Sequence, residues 1–250
     1  MSYHYKAGVV TPFAQKYIKI IVAGMLALTL VATMALRSVS SAAPLSVNGC
    51  NFNQVGNVWK LLANCTATAQ INLPAGTRLN GNNKTIKAGF DFTSNSNNAV
   101  LGIIDSSNVK VKDMVIDGNG RTALHGINVY QSIGVYLDEV TTKNNQKNGL
   151  VVNGSEVTVK DITTANNTWG GINVDQGVDV TKPGILTVKG KSTHTDLGHI
   201  YIDNVTRMVQ VNDVRNQYTF SHPAVFGRPF DRLYTLKPVT PHHDDDDHDD

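Results

Sequence analysis

The chain has 250 residues, a formal net charge of +2 and only two cysteines. Its length suffices for one domain with a continuous hydrophobic core. The charge excess is too small for the strongly basic character typical of nucleic-acid-binding proteins, so no nucleic-acid partner is predicted. Outside the C-terminal tail, 22 basic residues stand against 14 acidic ones. This imbalance is compatible with an anionic polysaccharide as a partner.

The first 43 residues differ in composition from the rest of the chain. Lysines precede an uncharged apolar run over residues 20–36, and small residues follow over 38–43. This order is typical of a secretory signal peptide, and Ser40 and Ala42 suit cleavage after residue 42. The apolar run also reaches the minimum length for a membrane anchor. Both interpretations predict a secreted or otherwise extracytoplasmic protein, which contacts a membrane only through residues 20–36 if they are not removed.

Both cysteines, Cys50 and Cys65, lie shortly after this segment. In an oxidising compartment they are expected to form one disulfide that closes a short loop. The loop would stabilise the N-terminal end of the fold, where an uncovered sheet edge could pair with other chains.

Residues 102–202 contain a repeated unit. It is marked by glycines 24, 23, 22 and 27 residues apart, namely Gly102, Gly126, Gly149, Gly171 and Gly198. Each is followed by alternating apolar and polar residues, the pattern of a strand, and a fixed period of this length indicates stacked repeats. We therefore predict an all-β, right-handed parallel β-helix of about five to six coils over residues 44–218, with its ends capped.

Asparagine pairs recur at the expected corners, at Asn144-Asn145 and Asn166-Asn167. Asparagine tolerates the left-handed conformation that a corner needs. Stacked asparagine side chains can also hydrogen-bond from coil to coil.

The segments VWKLLANCT (58–66) and INLPAGTRLNGNNKTI (71–86) resemble the opening coil of secreted pectate-lyase-like proteins. In that superfamily an apolar strand leads to a Pro-x-Gly turn, and a Leu-x-Gly-x-x-x-Thr-Ile segment enters the first full coil. The resemblance covers roughly residues 50–215. It implies the fold, but not the function, because such repeats occur in lyases, hydrolases, adhesins and scaffolds alike.

Side chains alternate between the faces of a strand, so the residues between the inward apolar positions should stack into an outer face. We expect this face to bind polysaccharide through amides and aromatic rings, at Asn128, Tyr130, Asn153, Asn173 and Tyr201. The alternative is a polar exterior without a ligand, which any solenoid requires.

The same face could place Asp175 and Asp203 one coil apart. Two carboxylates at that separation could bind Ca²⁺ or serve as nucleophile and acid in a retaining glycosidase. The insertion over residues 177–184 would act as a lid, and His194 or His199 could supply a base.

Comparison with the enzymes of the superfamily weakens the catalytic hypothesis. The Asp-Asp pair of polygalacturonases is absent outside the tail, and His125-Gly126 is not preceded by the glycine of their Gly-His-Gly motif. Arg121 near Asp117 is the one weak similarity to pectate lyases, which combine a carboxylate cluster with a basic residue that acts on the sugar. A binding or scaffold module is therefore favoured, with a polysaccharide lyase or glycosidase and a surface adhesin as alternatives.

Two further columns of charge are predicted. One alternates in sign, at Lys112, Asp138 and Lys160, and should be stabilised by cross-strand attraction. The other is acidic, at Asp113, Glu139 and Asp161, and would either favour a cation or point into turns.

The repeat is lost after Tyr218. Residues 219–241, rich in proline and aromatic residues, should cover the last coil as a C-terminal cap or, less simply, mediate assembly. Residues 242–250 are too polar to fold alone. Their side chains could bind divalent metal weakly through His242, His243, Asp244, Asp245 and His248.

Overall fold

The fold was analysed in a computed structural model that describes residues 44–92, 98–179, 181–202, 208–221 and 232–238. All regular elements in these ranges are strands. None of the described residues belongs to a helix that could cross a bilayer. The predicted signal or anchor, residues 1–43, and the tail at 242–250 lie outside the described ranges.

Twenty strands are present in these ranges. In chain order they are β1 (Pro44–Val47), β2 (Cys50–Val55), β3 (Val58–Leu61), β4 (Cys65–Ala67), β5 (Ile71–Asn72), β6 (Arg78–Ala88), β7 (Ala99–Ile104), β8 (Lys110–Asp117), β9 (His125–Tyr130), β10 (Val135–Lys143), β11 (Asn148–Asn153), β12 (Glu156–Lys160), β13 (Ile162–Ala165), β14 (Gly170–Asp175), β15 (Gly184–Val188), β16 (Ser192–His194), β17 (Ile200–Ile202), β18 (Val209–Asp213), β19 (Tyr218–Ser221) and β20 (Arg232–Leu236).

The strands form two sheets. The larger sheet has the order β1-β2-β3-β6-β8-β10-β12-β15-β18, with β4, β13 and β16 attached beyond the corners of the coils. The smaller sheet has the order β19-β20-β17-β14-β11-β9-β7-β5. Within the coils each strand pairs in parallel with its equivalent one coil away. The predicted parallel β-helix is thereby confirmed as a β-solenoid of about five turns.

Apolar side chains fill the interior in register. Leu79, Val111, Leu137, Val159 and Val188 occupy one column, each paired with the next. All five are at most 1% exposed. Burying such a side chain contributes about 1.5–3 kcal/mol, so the column is a main source of the stability of the coils.

The asparagine corners are confirmed. Asn144 and Asn166 have φ angles of +54° and +56°, in the left-handed region. Beside them, Nδ2 of Asn145 donates to Oδ1 of Asn167 over 2.6 Å. The backbone N–H of Asn167 in turn donates to Oδ1 of Asp196. The ladder thus runs through three coils and ends on a carboxylate.

The glycine frame was wrong in the first repeat. Gly102 pairs with Asn128, two residues beyond Gly126, because Leu101 pairs with the inward Ile127. The apolar pattern therefore decides the register. A glycine is needed only at positions where a side chain would collide with a neighbouring coil. At Gly126 an added Cβ would lie 2.5 Å from the carbonyl oxygen of Gly149.

The two ends of the solenoid differ. At the N-terminal end, β1, β2 and β3 form an antiparallel meander that joins the first coil through β6. The predicted disulfide between Cys50 and Cys65 links β2 to β4 and is confirmed. At the other end, β19 and β20 form an antiparallel hairpin that extends the smaller sheet from β17. Of the predicted C-terminal cap, residues 222–231 and 239–241 lie outside the described ranges.

Candidate functional site

The predicted outer columns of the smaller sheet have the expected register. Asn128, Val151, Asn173 and Tyr201 stack in one column. Tyr130, Asn153 and Asp175 stack in the next. Asp203 lies outside the described residues, so its pairing with Asp175 and the calcium or catalytic role built on that pair stay predictions.

The predicted exposure of the first column was wrong. Tyr201 is 1% exposed, Asn128 2% and Asn173 6%. The Tyr201 ring occupies space that a side chain at residue 170 would need, since a Cβ on Gly170 would lie 2.9 Å from its Cε1 atom. The alternation of a strand determines which face a side chain is on, but not whether that face is covered.

The second column is partly covered as well. Beside it, Nζ of Lys182, a residue of the 177–184 insertion, donates to the carbonyl oxygen of Gln131 over 3.4 Å. Asn153 is 8% exposed, whereas Tyr130 and Asp175 are half-buried. A carboxylate oxygen of Asp175 accepts the backbone N–H of Gln176 at 2.6 Å. Asp175 and Tyr130 are thus the accessible members of the column, and the lid role of the insertion stays a prediction.

A largely buried cluster at the N-terminal ends of β9, β11 and β14 in the same sheet was not predicted. The His125 ring lies edge-to-face on Trp169, and Nζ of Lys147 lies 5.1 Å from the Trp169 ring centre. Nδ1 of His125 accepts the backbone N–H of Asn148. Burial, together with the Lys147 charge, lowers the pKa of His125 to about 3. His125 is therefore a neutral packing residue and not the echo of a catalytic Gly-His-Gly motif.

The larger sheet offers a more open face. Arg78, Lys110, Tyr136, Thr158 and Thr187 form one outward column, paired in register from coil to coil. Arg78 is exposed, and the other four side chains are half-buried. None of these five residues was predicted as a site residue, although the alternation in Lys110-Val111-Lys112 marks Lys110 as outward.

An aromatic ring and a cation meet in this column. Nζ of Lys110 lies 4.9 Å from the centre of the Tyr136 ring. Such a cation–π contact contributes about 0.5–1 kcal/mol at an accessible site. Among the described residues, no carboxylate lies within ion-pair distance of Arg78 or Lys110. The column therefore presents two uncompensated positive charges beside an aromatic ring.

The neighbouring column has its charges paired. Asn80, Lys112, Asp138 and Lys160 follow one another in register, as predicted for the alternating charges. Nζ of Lys160 lies 3.2 Å from Asp138, and the hydrogen bond between them raises the pKa of Lys160. A hydrogen bond to Asp113 likewise raises the pKa of Lys112. These lysines are held by carboxylates and are less available to a ligand than Arg78 and Lys110.

The predicted acidic column lies at a corner. Asp113, Glu139 and Asp161 have φ angles of +54°, +53° and +52°. Carboxylate oxygens of Asp138, Glu139 and Asp161 lie within 4.8 Å of one another. Lysines flank this group, with Lys160 within 3.7 Å of Asp161. The arrangement is that of a left-handed turn with neutralising cations, the second of the two interpretations offered by the sequence.

Two shallow grooves border the open column. One, of about 290 Å³, is lined by Val58, Arg78, Leu79, Asn80, Lys110 and Lys112. The other, of about 300 Å³, lies where Tyr136, Thr158 and Thr187 face Glu156 and Ile185. Together they line a surface several coils long that combines two cations, hydroxyl groups and one aromatic ring, with the Glu156 carboxylate at its far end.

Comparisons with known proteins give distant similarities only. No protein family matches the chain, and no curated protein is similar to it in sequence. Three chains of solved structures resemble it, including the following two. ORF18 of Geobacillus virus E2 has 14% identity and a TM-score of 0.45, over 62% of this chain and 30% of the viral one. A candidate glycosyl hydrolase from Parabacteroides merdae has 12% identity and a TM-score of 0.42, over 62% of this chain and 77% of its own.

The fold and the disulfide define the class of protein without assigning it to a family. It is an all-β solenoid of about five turns with a disulfide at its N-terminal end. A disulfide is typical of proteins that fold in an oxidising, extracytoplasmic compartment. Similarities as distant as those above assign no activity. The chemistry of the protein's surface is therefore the basis for assigning its role.

Proposed function

We propose that this protein is an extracytoplasmic β-solenoid module that binds polysaccharide without cleaving it. The binding surface is the open column of the larger sheet and not the face predicted from the sequence. The observation that carries the proposal is that Arg78, Lys110 and Tyr136 lie on adjacent coils, with no carboxylate partner for either cation among the described residues and the Tyr136 ring beside Lys110.

Each group has a chemical role toward a sugar chain. Arg78 and Lys110 can donate hydrogen bonds to carboxylate or sulfate groups, and charge-assisted bonds of this kind are about twice as strong as neutral ones. The Tyr136 ring offers an apolar face to a sugar ring. The hydroxyls of Thr158 and Thr187 continue the column with neutral hydrogen-bonding groups. Because the groups stand on paired strands, binding requires little ordering of the protein.

The test is retention of the full chain on immobilised polygalacturonate and, for comparison, on a neutral glucan. We expect Arg78→Ala/Lys110→Ala to weaken binding to polygalacturonate at least tenfold, about 1.4 kcal/mol. A matched control, Lys87→Ala/Lys191→Ala, removes the same charge from exposed side chains elsewhere. Equal weakening by both double variants would indicate unspecific attraction and contradict the proposed site. Absence of retention by the unaltered protein would contradict the function itself.

The second candidate function is cleavage of polysaccharide, with Asp175 as a catalytic carboxylate. It is favoured by one observation: the half-buried carboxylate of Asp175 follows Tyr130 and Asn153 in the second outward column of the smaller sheet. In this alternative Asp175 and Asp203 act as a carboxylate pair, with or without Ca²⁺. A depolymerisation screen distinguishes it from the binding role, because only cleavage generates new reducing or unsaturated ends.

A further inference from the structure

Buried polar side chains connect the last coils to the C-terminal hairpin. Oγ1 of Thr164 lies 2.7 Å from Nδ1 of His194 and also contacts a carboxylate oxygen of Asp196. The other ring nitrogen of His194, Nε2, lies 2.7 Å from the hydroxyl of Tyr218. All four side chains are less than a tenth exposed. The proposed polysaccharide surface uses none of them.

The hydrogen bonds between these four side chains indicate which ring nitrogen of His194 carries the proton. The Asp196 carboxylate can only accept, so the single hydroxyl proton of Thr164 is donated to it. The Thr164 oxygen then accepts the Nδ1–H of His194. Because burial keeps the ring neutral, Nε2 carries no proton and accepts the hydroxyl of Tyr218. His194 is therefore a neutral imidazole whose acceptor nitrogen binds the hairpin.

His199 holds the hairpin in the same way. Its ring stacks on that of His194, with centroids 5.0 Å apart and an interplanar angle of 22°. Nδ1 of His199 accepts the backbone N–H of Leu236 at 3.0 Å. Tyr218 and Leu236 are paired with each other in the β19–β20 ladder. One pair of stacked histidines thus accepts a hydrogen bond from each strand of the hairpin at the same level.

We propose that His194 and His199 form a pH-sensitive clamp, which holds the C-terminal hairpin on β17 while both rings are neutral and releases it when they take up protons. A protonated Nδ1 of His199 is a donor and can no longer accept the backbone N–H of Leu236. A protonated Nε2 of His194 still contacts Tyr218, but the direction of that hydrogen bond reverses, because the phenol oxygen can accept. Two stacked imidazolium rings would also repel each other. Opening the hairpin would free the edge of β17, which β20 covers in the closed state.

The surrounding groups set the direction of the effect. Burial lowers the pKa of His194 to about 3, and burial also lowers that of His199, against an opposing influence of the Asp196 carboxylate. Asp213 faces the clamp from β18, where it accepts the backbone N–H of Tyr218. Burial raises the pKa of the Tyr218 phenol, which therefore stays neutral.

Opening returns both histidines to water, where their pKa approaches the ordinary value of about 6.5. The open form consequently binds more protons than the closed form below that pH. The ratio of open to closed hairpin should therefore rise as the pH falls from about 6.5. The rise is at most tenfold per pH unit for each histidine, until the pKa of the closed state is reached.

Hydrogen exchange of the full chain, followed by mass spectrometry at pH 7 and pH 5, tests the clamp. Protection factors, which are corrected for the intrinsic exchange rate, are compared between the hairpin strands β19 and β20 and the central strands β10 and β11. We expect hairpin protection to fall at least tenfold, and at most about a thousandfold, between the two pH values. Hairpin protection that is equal at both pH values, or that falls no more in the unaltered protein than in His194→Gln/His199→Asn, would overturn the proposal.

Variants distinguish hairpin opening caused by His194 and His199 from acid destabilisation of the whole domain. In His194→Gln/His199→Asn, side-chain amide oxygens replace the accepting nitrogens with groups that do not titrate, so the hairpin should lose less protection between pH 7 and pH 5 than in the unaltered protein. His125→Asn is the matched control, because His125 is similarly buried but contacts no hairpin residue among those described, and in this variant the full loss of hairpin protection should persist. Should the double variant fail to fold, each single variant should reduce the logarithm of the hairpin's loss of protection between pH 7 and pH 5 by about half. A loss as large as that of the unaltered protein in both single variants contradicts the clamp.

Discussion

The hydroxyl of Tyr201 donates a hydrogen bond to Oδ1 of Asn148 at 2.5 Å, although 53 residues separate them in sequence. The contact crosses from β17 to the first residue of β11, two coils away. Tyr201 thereby becomes a packing residue of the smaller sheet, and the face on which it was expected to bind sugar is closed at this point.

Tyr201→Phe should reduce the free energy of unfolding by about 1–2 kcal/mol, because the buried Asn148 oxygen loses this donor. Urea denaturation would measure the change. Tyr136→Phe is the control, since the described residues include no hydrogen-bond partner for that half-buried hydroxyl, and it should change stability by less than about 0.5 kcal/mol. Equal losses in both variants would argue against a specific role for the contact.

Asn167→Ala should be more harmful. The Asn167 side chain accepts from the backbone N–H and Nδ2 of Asn145 and donates to the carbonyl oxygen of Thr142. Removing it leaves several buried groups unpaired, at a cost of about 3 kcal/mol. Asn166→Gly, at the adjacent exposed corner with positive φ, should cost little because glycine adopts that conformation freely. The denaturant midpoints of the two variants should therefore differ clearly.

Acid should destabilise the whole domain through His125. Its pKa is lowered to about 3 in the folded state, whereas the unfolded value is about 6.5. The unfolded chain binds more protons between these values, so this contribution to stability is complete above pH 6.5 and is lost as the pH falls toward 3. From pH 6.5 to pH 5 the loss is about 2 kcal/mol.

His125→Asn should remove that part of the pH dependence. Unfolding free energies of the two proteins at pH 7 and pH 5 would provide the comparison. An unchanged difference between the two pH values in the variant would mean that His125 does not control global acid stability.

Cys50→Ala/Cys65→Ala should lower the free energy of unfolding by about 3 kcal/mol, because the disulfide closes a loop with a sequence separation of 15 residues. Thermal melting measures the effect. Reduction of the unaltered protein with dithiothreitol should reproduce it, and reduction of the variant should have no further effect. A melting temperature insensitive to both changes would refute a stabilising role for the bond.

The binding role also predicts the behaviour of Asp175→Asn. Because Asp175 is on the smaller sheet, away from Arg78 and Lys110, its substitution should leave retention on polygalacturonate within about twofold, less than 0.5 kcal/mol. We expect no reducing or unsaturated ends from the unaltered protein, with or without Ca²⁺. If such ends form and disappear in the variant, the catalytic alternative replaces the binding role.

Much of the architecture could be predicted from local pattern. The alternation around Ile127 and Leu150 specified strands and the side chains that face the interior, and the corner asparagines specified the turns. The pairing of Asn153 with Asp175 followed from the repeat length. These features are local or periodic, so each coil contains the information that its neighbour uses.

The accessibility of a surface could not be predicted in the same way. Tyr201 and Asn128 alternate outward as expected, yet they are buried, whereas the column of Arg78 and Tyr136 remains accessible. Burial depends on which distant segments pack against a face, and no periodicity encodes this.

The sequence by itself determined the all-β class, the repeat, the inward side chains and the partner of each cysteine. Only the tertiary structure decided which outer face stays open and that Thr164, His194 and Tyr218 meet from three separate strands. The reason is physical: strand formation responds to neighbours along the chain, whereas exposure and buried hydrogen bonds depend on contacts between residues far apart in sequence.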